Sequence, residues 1–98
     1  MIQIAICDDE KEILDEVSGY IKNYAENKSD LDIEVFRFDS ARTLISTLED
    51  GKSFDIFVLD VYIGDEMGTE LADCIRKNGI ESPIIFATTS IEHAPQSY

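Results

Sequence analysis

Residues 54–68, FDIFVLDVYIGDEMG, decide the fold, because an apolar run there ends abruptly on one carboxylate, Asp60. Residues 56–59 are apolar without alternation, which is typical of a strand covered on both faces in a parallel sheet. In open α/β sheets, ligands bind outside the carboxyl ends of the strands, so Asp60 stands where a site is expected. Taken alone, Asp60 is explained equally well as a carboxylate that solvates a strand end.

A second apolar strand opens the chain and also ends in acid. Residues 2–7 are IQIAIC, and Asp8, Asp9 and Glu10 follow them. If both strands belong to one parallel sheet, Asp8, Asp9 and Asp60 meet at one edge. Carboxylates about 5 Å apart then repel by about 3 kcal/mol per pair at an effective dielectric constant of about 20. A solvated acidic rim is the alternative, but it does not explain why the carboxylates end apolar strands.

An acidic cluster of this kind predicts a bound cation or raised pKa values. The expected donors are all oxygen atoms, and no histidine or cysteine with metal-type spacing lies near them in the sequence. Oxygen ligands with open positions suit Mg²⁺, which keeps several waters and shares a phosphate. The sequence therefore predicts a magnesium site at this edge of the sheet.

Composition restricts the class of protein and its partners. The 98 residues are 44% hydrophobic and 30% charged, as in one globular domain. With 8 basic and 21 acidic residues the net charge is -13, so we expect no direct binding to nucleic acid and repulsion from anionic membranes. The sequence contains no leader pattern and no transmembrane-length segment, which predicts a cytoplasmic protein. Cys7 and Cys74 are predicted to be reduced, buried thiols.

The hydrophobic pattern predicts strands that alternate with helices. The predicted strands are residues 2–7, 33–38, 55–59 and 84–87, with a helix after each of the first three. Right-handed crossovers between such strands give a doubly wound parallel sheet in one domain, residues 1–98.

Capping patterns predict where the helices begin and end. Asp9 is predicted to cap the first helix, and Asp39 or Ser40 the second. Tyr20 and Tyr24 continue the apolar stripe of the first helix, so they are predicted to be core or boundary residues. The glycines predicted to end the second and third helices are Gly51 and Gly79.

Taken together, these residues resemble the receiver domain of two-component response regulators. The resemblance is carried by Asp8-Asp9 after the first strand, Asp60 after the third, Gly68 eight residues on, and Thr88 after Ile-Ile-Phe-Ala. It covers the whole chain and implies a flavodoxin-like sheet of strand order 2-1-3-4. The family's fifth strand, last helix and phosphoryl-pairing lysine would follow Tyr98, so the chain resembles a truncated receiver.

The resemblance implies a role for each of these residues. Asp60 would be the phosphoacceptor, and Thr88 would contact the phosphoryl group. Asp9 would bind Mg²⁺ directly with Asp8 assisting, alongside Asp60 and the carbonyl of Tyr62. The domain would then be a signalling module and not a turnover enzyme, and without the lysine it would react poorly.

The partners implied by the resemblance are a sensor histidine kinase, as donor in a phosphorelay, and an output domain absent from this chain. The opening IAICDDE and the TTS after the fourth strand are most similar to regulators with a LytTR-type DNA-binding output domain. This similarity implies regulation of transcription.

Two other functions fit parts of the pattern. Haloacid-dehalogenase-like phosphatases and phosphotransferases also place an aspartate nucleophile after a strand. Their nucleophile follows the first strand with a second acid two residues later, whereas Asp8 and Asp9 are adjacent here. A non-phosphorylated interaction module with the same fold is the other alternative; the missing lysine favours it and the retained acids disfavour it.

The fourth predicted strand, residues 84–87, is apolar and uncharged. Without a fifth strand it would be a sheet edge, and such edges tend to pair. We therefore expect homodimers formed through this edge or through a helix face.

Overall fold

The computed structural model describes residues 1–28, 30–63 and 66–87. Its elements in chain order are β1 (Ile2–Cys7), α1 (Lys11–Glu26), β2 (Ile33–Phe38), α2 (Ala41–Glu49), β3 (Ile56–Leu59), β4 (Tyr62–Ile63), β5 (Glu66–Met67), α3 (Gly68–Lys77) and β6 (Ile84–Phe86). The predicted helices and the four predicted strands are present. β4 and β5 form a short antiparallel hairpin that was not predicted.

The four longer strands form one parallel sheet in the order β2-β1-β3-β6. β1 pairs with β2 on one side and with β3 on the other, and β3 pairs with β6. The predicted order 2-1-3-4 is confirmed, with β6 as the fourth strand of the sheet. Because β2 and β3 lie on opposite sides of β1, a crevice is expected where β1 and β3 end.

Helices cover both faces of the sheet, as predicted for a doubly wound fold. Successive side chains of a strand point to opposite faces, so each strand contributes to two apolar clusters. The cluster under α1 has Ile4, Ile6 and Leu14 at its centre. The cluster under α2 and α3 is larger and contains Ala5, Cys7, Ala41, Leu44, Leu48, Phe54, Phe57, Leu59, Ile63, Leu71 and Ile75.

Burial differs between the two faces. Phe57 and Leu59 of β3 are fully buried under α2 and α3, whereas Ile56 and Val58 on the α1 side are partly buried. The prediction of complete cover on both faces is therefore confirmed for one face of β3 only. Ile85 of β6 is 52% exposed.

The start of α1 differs from the prediction. Its N-cap residue is Glu10, and within the described residues no side chain caps it by a hydrogen bond. The prediction that Asp9 caps this helix was wrong. The carboxylate of the preceding residue, Asp8, accepts a hydrogen bond from the Glu10 backbone N–H at 2.9 Å, so the acidic residues are tied to the helix start in another way.

The buried face of α1 is also rotated from the predicted one. Leu14 and Ser18 are its buried residues, while Tyr20 and Tyr24 are 68% and 58% exposed. The prediction that the tyrosines are core or boundary residues was wrong, because the centre of the inward face is occupied by a polar residue, Ser18.

The other helix boundaries follow the predictions. Ser40, and not Asp39, caps α2, since its Oγ accepts a hydrogen bond from the Thr43 backbone N–H at 3.2 Å. Gly51 and Gly79 have φ of 98° and 79°, the left-handed conformation that ends many helices.

Two predictions from composition concern the cysteines and the membrane. Cys7 is buried as predicted, whereas Cys74 is only partly buried. Among the helices described, none combines the length and the apolar character that a bilayer span requires.

Candidate functional site

The carboxyl ends of β1 and β3 bring three aspartates together. Cys7 and Leu59, the last residues of these strands, are register partners, so the residues that follow leave the sheet at the same level. The Asp60 backbone N–H donates to the Cys7 carbonyl at 3.2 Å. Asp8, Asp9 and Asp60 each offer a carboxylate oxygen, and these oxygens lie within 4.8 Å of one another. The predicted convergence is therefore observed.

Asp8 is the most buried member of this acidic cluster, with 3% of its surface exposed. Its backbone N–H donates to the Phe38 carbonyl at 3.0 Å, which fixes the end of β1 against β2. The pKa of Asp8 is raised from 3.8 to about 6, mainly by burial and also by the charges of Asp60, Asp9 and Glu10, while a hydrogen bond from the Glu10 backbone opposes the increase. Asp8 therefore holds a proton, or favours a cation, more strongly than an ordinary aspartate.

Asp60 is partly buried and is held by the chain that follows it. Its Oδ1 accepts a hydrogen bond from the Val61 backbone N–H at 2.8 Å. Burial raises the pKa of Asp60, and the negative charges of Asp9 and Glu10 add to the increase. Hydrogen bonds from the backbone of Val61 and Tyr62 oppose it. The carboxylate is thus oriented by backbone donors while its charge is disfavoured by its surroundings.

Gly68, the first residue of α3, packs directly on the backbone of Asp60. Its N–H donates to the Val61 carbonyl at 2.6 Å. A Cβ at this position would lie 2.0 Å from the Asp60 carbonyl oxygen and 3.3 Å from a ring carbon of Phe86. Only glycine allows so close an approach of two backbone segments.

This packing role of Gly68 was not predicted from the sequence, where Gly68 entered only through the resemblance. A glycine after an irregular loop can indicate a close approach of two backbone segments, but no local pattern shows that the partner is Asp60.

Two further predicted site residues have different outcomes. Tyr62 follows Val61 and contributes a backbone hydrogen bond to the Asp60 carboxylate. The ligand role of its carbonyl stays a prediction. Thr88 lies outside the described residues, as do Thr89, Ser90 and the rest of the chain. The residue before Thr88, Ala87, donates its N–H to the Leu59 carbonyl at 2.9 Å, so Ala87 lies beside the end of β3, which Asp60 follows.

The donor set of the acidic cluster suits a small, hard cation. All three ligand groups are carboxylates, which is the chemistry that Mg²⁺ and Ca²⁺ prefer. In the described ranges this is the one group of three or more acidic, histidine or cysteine side chains with metal-ligand spacing. Three protein carboxylates leave positions for water or a phosphate oxygen in an octahedral shell.

The chain is thus an α/β domain with a doubly wound parallel sheet, and three aspartates form a candidate cation site where β1 and β3 end. The family model for the response regulator receiver domain matches residues 4–96. The chain therefore belongs to the response regulator receiver domain family. No curated protein matches the sequence significantly.

Solved receiver structures resemble this chain over nearly its whole length. The BeF3-activated DrrB receiver domain is 28% identical with a TM-score of 0.69, covering 98% of this chain and 74% of that one. The response regulator DrrB of Thermotoga maritima, an OmpR/PhoB homolog, is 29% identical with a TM-score of 0.69, covering 98% of this chain and 40% of that one.

More distant structures share the fold. Chemotaxis response regulator CheY4 of Vibrio cholerae is 19% identical with a TM-score of 0.68, covering 99% of this chain and 76% of that one. A fusion chain carrying a yeast Spc42 coiled coil is 21% identical with a TM-score of 0.75, and this chain covers 59% of its length. The predicted flavodoxin-like receiver fold is confirmed.

Proposed function

We propose that this receiver domain is a phosphoacceptor, in which Asp60 takes a phosphoryl group from a phosphohistidine of a sensor kinase. The observation that carries the proposal is the acidic cluster itself: carboxylate oxygens of Asp8, Asp9 and Asp60 lie within 4.8 Å of one another where β1 and β3 end. Membership of the family supports the kinase as partner.

The three aspartates differ in exposure, and this difference suits different roles. Asp8 is 3% exposed, so it has little access to an incoming group. Asp60 is partly buried and Asp9 is exposed. Of the two accessible carboxylates, only Asp60 is described with hydrogen bonds from the backbone at Val61 and Tyr62. A nucleophile that is already oriented loses less freedom on attack, which favours Asp60 as the acceptor.

The cofactor that we propose is Mg²⁺, held by Asp8, Asp9 and Asp60, with the Tyr62 carbonyl as a further ligand. When bound, the ion would neutralise charge on the transferring phosphoryl group. The raised pKa values of Asp8 and Asp60 support the assignment, because clustering and burial disfavour these charges until a cation balances them.

The proposed reaction is one displacement at phosphorus. An Asp60 carboxylate oxygen forms a bond to phosphorus, the phosphorus–nitrogen bond of the donor histidine breaks, and the histidine keeps the electron pair. Thr88 is proposed to donate a hydrogen bond to the phosphoryl group. We propose that the added negative charge then biases the β4–β5 hairpin, which begins two residues after Asp60, and the chain that follows β6.

We further propose that phosphorylation of Asp60 switches an output domain outside this chain, which regulates transcription in the cytoplasm. The likeness to DrrB, an OmpR/PhoB homolog, supports a transcriptional output. The N-terminal and fourth-strand residues that resemble LytTR-type regulators point the same way.

Labelling with acetyl phosphate or a phosphohistidine donor tests the proposal. We expect Mg²⁺-dependent label on Asp60, found by mass spectrometry after borohydride trapping, with a low yield in a chain that lacks the family's phosphoryl-pairing lysine. Asp60→Asn should abolish the label. Asp39→Asn is the matched control, because Asp39 is an exposed aspartate that follows β2 at the same edge of the sheet, and it should leave the label unchanged.

Three results would count against this assignment. Label on Thr88, Ser90 or His93 in place of Asp60 would identify another acceptor. Sustained turnover of a small phosphate ester would favour a phosphatase. Equal labelling with and without Mg²⁺ would show that the transfer does not need the cation.

A further inference from the structure

We propose that Asn78–Gly79, where α3 ends, is a site of spontaneous deamidation that the folded chain suppresses through Arg76. Both residues are exposed, and no step of the proposed phosphotransfer uses them. Asparagine is among the chemically labile residues of proteins. A following glycine makes it most labile, because glycine has no side chain to hinder attack by its own nitrogen.

The reaction needs only water. The Gly79 backbone nitrogen attacks Cγ of Asn78, a new carbon–nitrogen bond closes a five-membered succinimide, and the bond from Cγ to Nδ2 breaks. Nδ2 leaves as ammonia with the proton from the Gly79 nitrogen. Water then opens the ring at either carbonyl, which gives aspartate or isoaspartate at this position.

Both reacting nitrogens are engaged at the end of α3. Nδ2 of Asn78 donates to the Cys74 carbonyl at 2.9 Å. The Gly79 N–H donates to the Arg76 carbonyl at 3.0 Å. Asn78 has φ of -82° and ψ of 8°, which directs the Gly79 nitrogen away from the Asn78 side chain. Ring closure therefore requires rotation at Asn78 and loss of these hydrogen bonds.

The Arg76 side chain opposes that rotation. Its Nη1 donates to the carbonyls of Ile80 and Ser82 at 2.9 and 2.8 Å, and so ties the segment after Gly79 back to α3. The hydroxyl of Ser82 donates to the Phe54 carbonyl at 2.6 Å, which anchors the same segment near the start of β3. Because rotation at Asn78 displaces this segment, Arg76 acts as a positioning residue that limits local opening.

Modification would weaken the connection from α3 to β6. A new carboxylate at the C-terminal end of α3 faces the negative end of the helix dipole. The donor to the Cys74 carbonyl is lost, and isoaspartate adds a backbone carbon before β6. The fold thus protects Asn78 from a reaction that would destabilise the connection from α3 to β6.

The experiment compares the 98-residue chain with Arg76→Ala and Arg76→Lys during incubation at mildly alkaline pH. Peptide mass spectrometry measures aspartate and isoaspartate at Asn78. The internal control is Asn27, which ends α1 with nearly the same backbone angles, φ of -82° and ψ of -4°, but precedes Lys28. We expect Arg76→Ala to deamidate at Asn78 about fivefold faster or more. Arg76→Lys should be intermediate, and Asn27 unchanged.

Urea provides the reference for an unprotected chain, in which all three proteins should deamidate rapidly and equally at Asn78. If the folded parent reacts as fast as it does in urea, the fold gives no protection and the proposal is overturned. Equal rates in the parent and both Arg76 variants, each shown to be folded by circular dichroism, would show that Arg76 does not suppress the reaction and would overturn the proposal. Acceleration at Asn27 in step with Asn78 would show global unfolding instead of local opening, and would also overturn it.

Discussion

The close packing of Gly68 on the backbone of Asp60 holds Asp60 in position. The Cβ of Gly68→Ala would lie 2.0 Å from a backbone oxygen of Asp60, and a backbone atom cannot yield as the end of a side chain can. We expect this variant to lose about 1–3 kcal/mol of unfolding free energy and to bind Mg²⁺ more weakly. Urea unfolding and calorimetric titration measure the two effects.

Gly19→Ala is the matched control for this prediction. Gly19 lies within α1, and a Cβ there meets no described atom within 4 Å. Alanine is favoured over glycine inside a helix, so this variant should gain about 0.5–1 kcal/mol. If Gly68→Ala keeps the stability and the Mg²⁺ affinity of the parent, the contact with Asp60 does not hold the site.

Asp8 makes the stability of the fold depend on pH. Its pKa is about 6 in the folded chain and 3.8 as an ordinary aspartate, so the folded state binds this proton more tightly. The stabilising effect is complete below about pH 4 and is lost as the pH rises through about 6, with a size on the order of 2–3 kcal/mol. Asp60 acts in the same direction, because its pKa is also raised.

Urea unfolding of the parent and of Asp8→Asn between pH 4 and pH 7, without divalent ions, measures this dependence. As the pH rises, the parent should lose stability relative to Asp8→Asn. At neutral pH, Mg²⁺ should restore the stability that the parent has lost. Parallel stability curves for the two proteins, with and without Mg²⁺, would contradict the link between Asp8 and the cation.

Each acidic residue of the site could be predicted from the sequence, whereas the hydrogen bonds that it makes could not. An apolar run that ends on a carboxylate is a local pattern, which is why Asp8, Asp9 and Asp60 could be read from the sequence. The cap of α1 was assigned wrongly because Asp8 takes the Glu10 N–H, and that choice depends on tertiary packing at the end of β1. The contact of Gly68 with Asp60 joins two segments whose proximity no local pattern contains.

Among the elements, α1 carries a buried polar atom that a stability measurement can test. Ser18 is 4% exposed, and its Oγ has no hydrogen-bond partner among the described residues. Ser18→Ala removes this unsatisfied hydroxyl and improves helix propensity, so the unfolding free energy should rise by about 1 kcal/mol. Thermal or urea unfolding checks the change.

Ser46→Ala is the control for helix propensity alone, because Ser46 is an exposed serine within α2. It should gain less than Ser18→Ala. A clear loss of stability in Ser18→Ala would contradict this prediction and would show that the hydroxyl makes a hydrogen bond, for example to a buried water.

Element prediction succeeded where periodicity was long and failed where it was short or interrupted. The longer strands and the three helices have clear patterns, but two-residue strands such as β4 and β5 have no period to detect. In α1 the stripe of apolar residues included Tyr20 and Tyr24, while Ser18 occupies the buried centre. Hydrophobicity alone therefore placed Leu14 and Val17 correctly, since both pack inward, and placed the two tyrosines incorrectly.

At the scale of the whole molecule, the parallel sheet follows from alternating strands and helices with right-handed crossovers. The order of its strands does not, because several orders satisfy the same rules. The order 2-1-3-4 was implied by the resemblance and is observed as β2-β1-β3-β6. The parallel sheet alone therefore predicts that Asp60 lies at the same edge as Asp8 and Asp9, and the strand order implied by the resemblance makes β1 and β3 neighbours.

The outer edge of the sheet, formed by β6, favours association of two chains. In the described part of the chain, β6 pairs with β3 and borders no other strand. Ile85 and Phe86 are 52% and 43% exposed, and neither carries a charge that would discourage pairing. We expect the 98-residue chain to dimerise by pairing β6 with its copy across a two-fold axis. Because a net charge of -13 opposes association, the dimer should strengthen as salt screens that charge.

Sedimentation across a salt series, with two lysine variants, distinguishes this edge from a helix face. Ile85→Lys places a charge on the edge strand and should keep the chain monomeric. Tyr20→Lys places the same charge on the exposed side of α1, where it should leave a β6 dimer intact. Loss of the dimer in Tyr20→Lys alone would assign the interface to α1. A parent that stays monomeric at high concentration and high salt would show that the edge does not pair, because the exposed apolar surface of β6 is then too small to offset the charge repulsion.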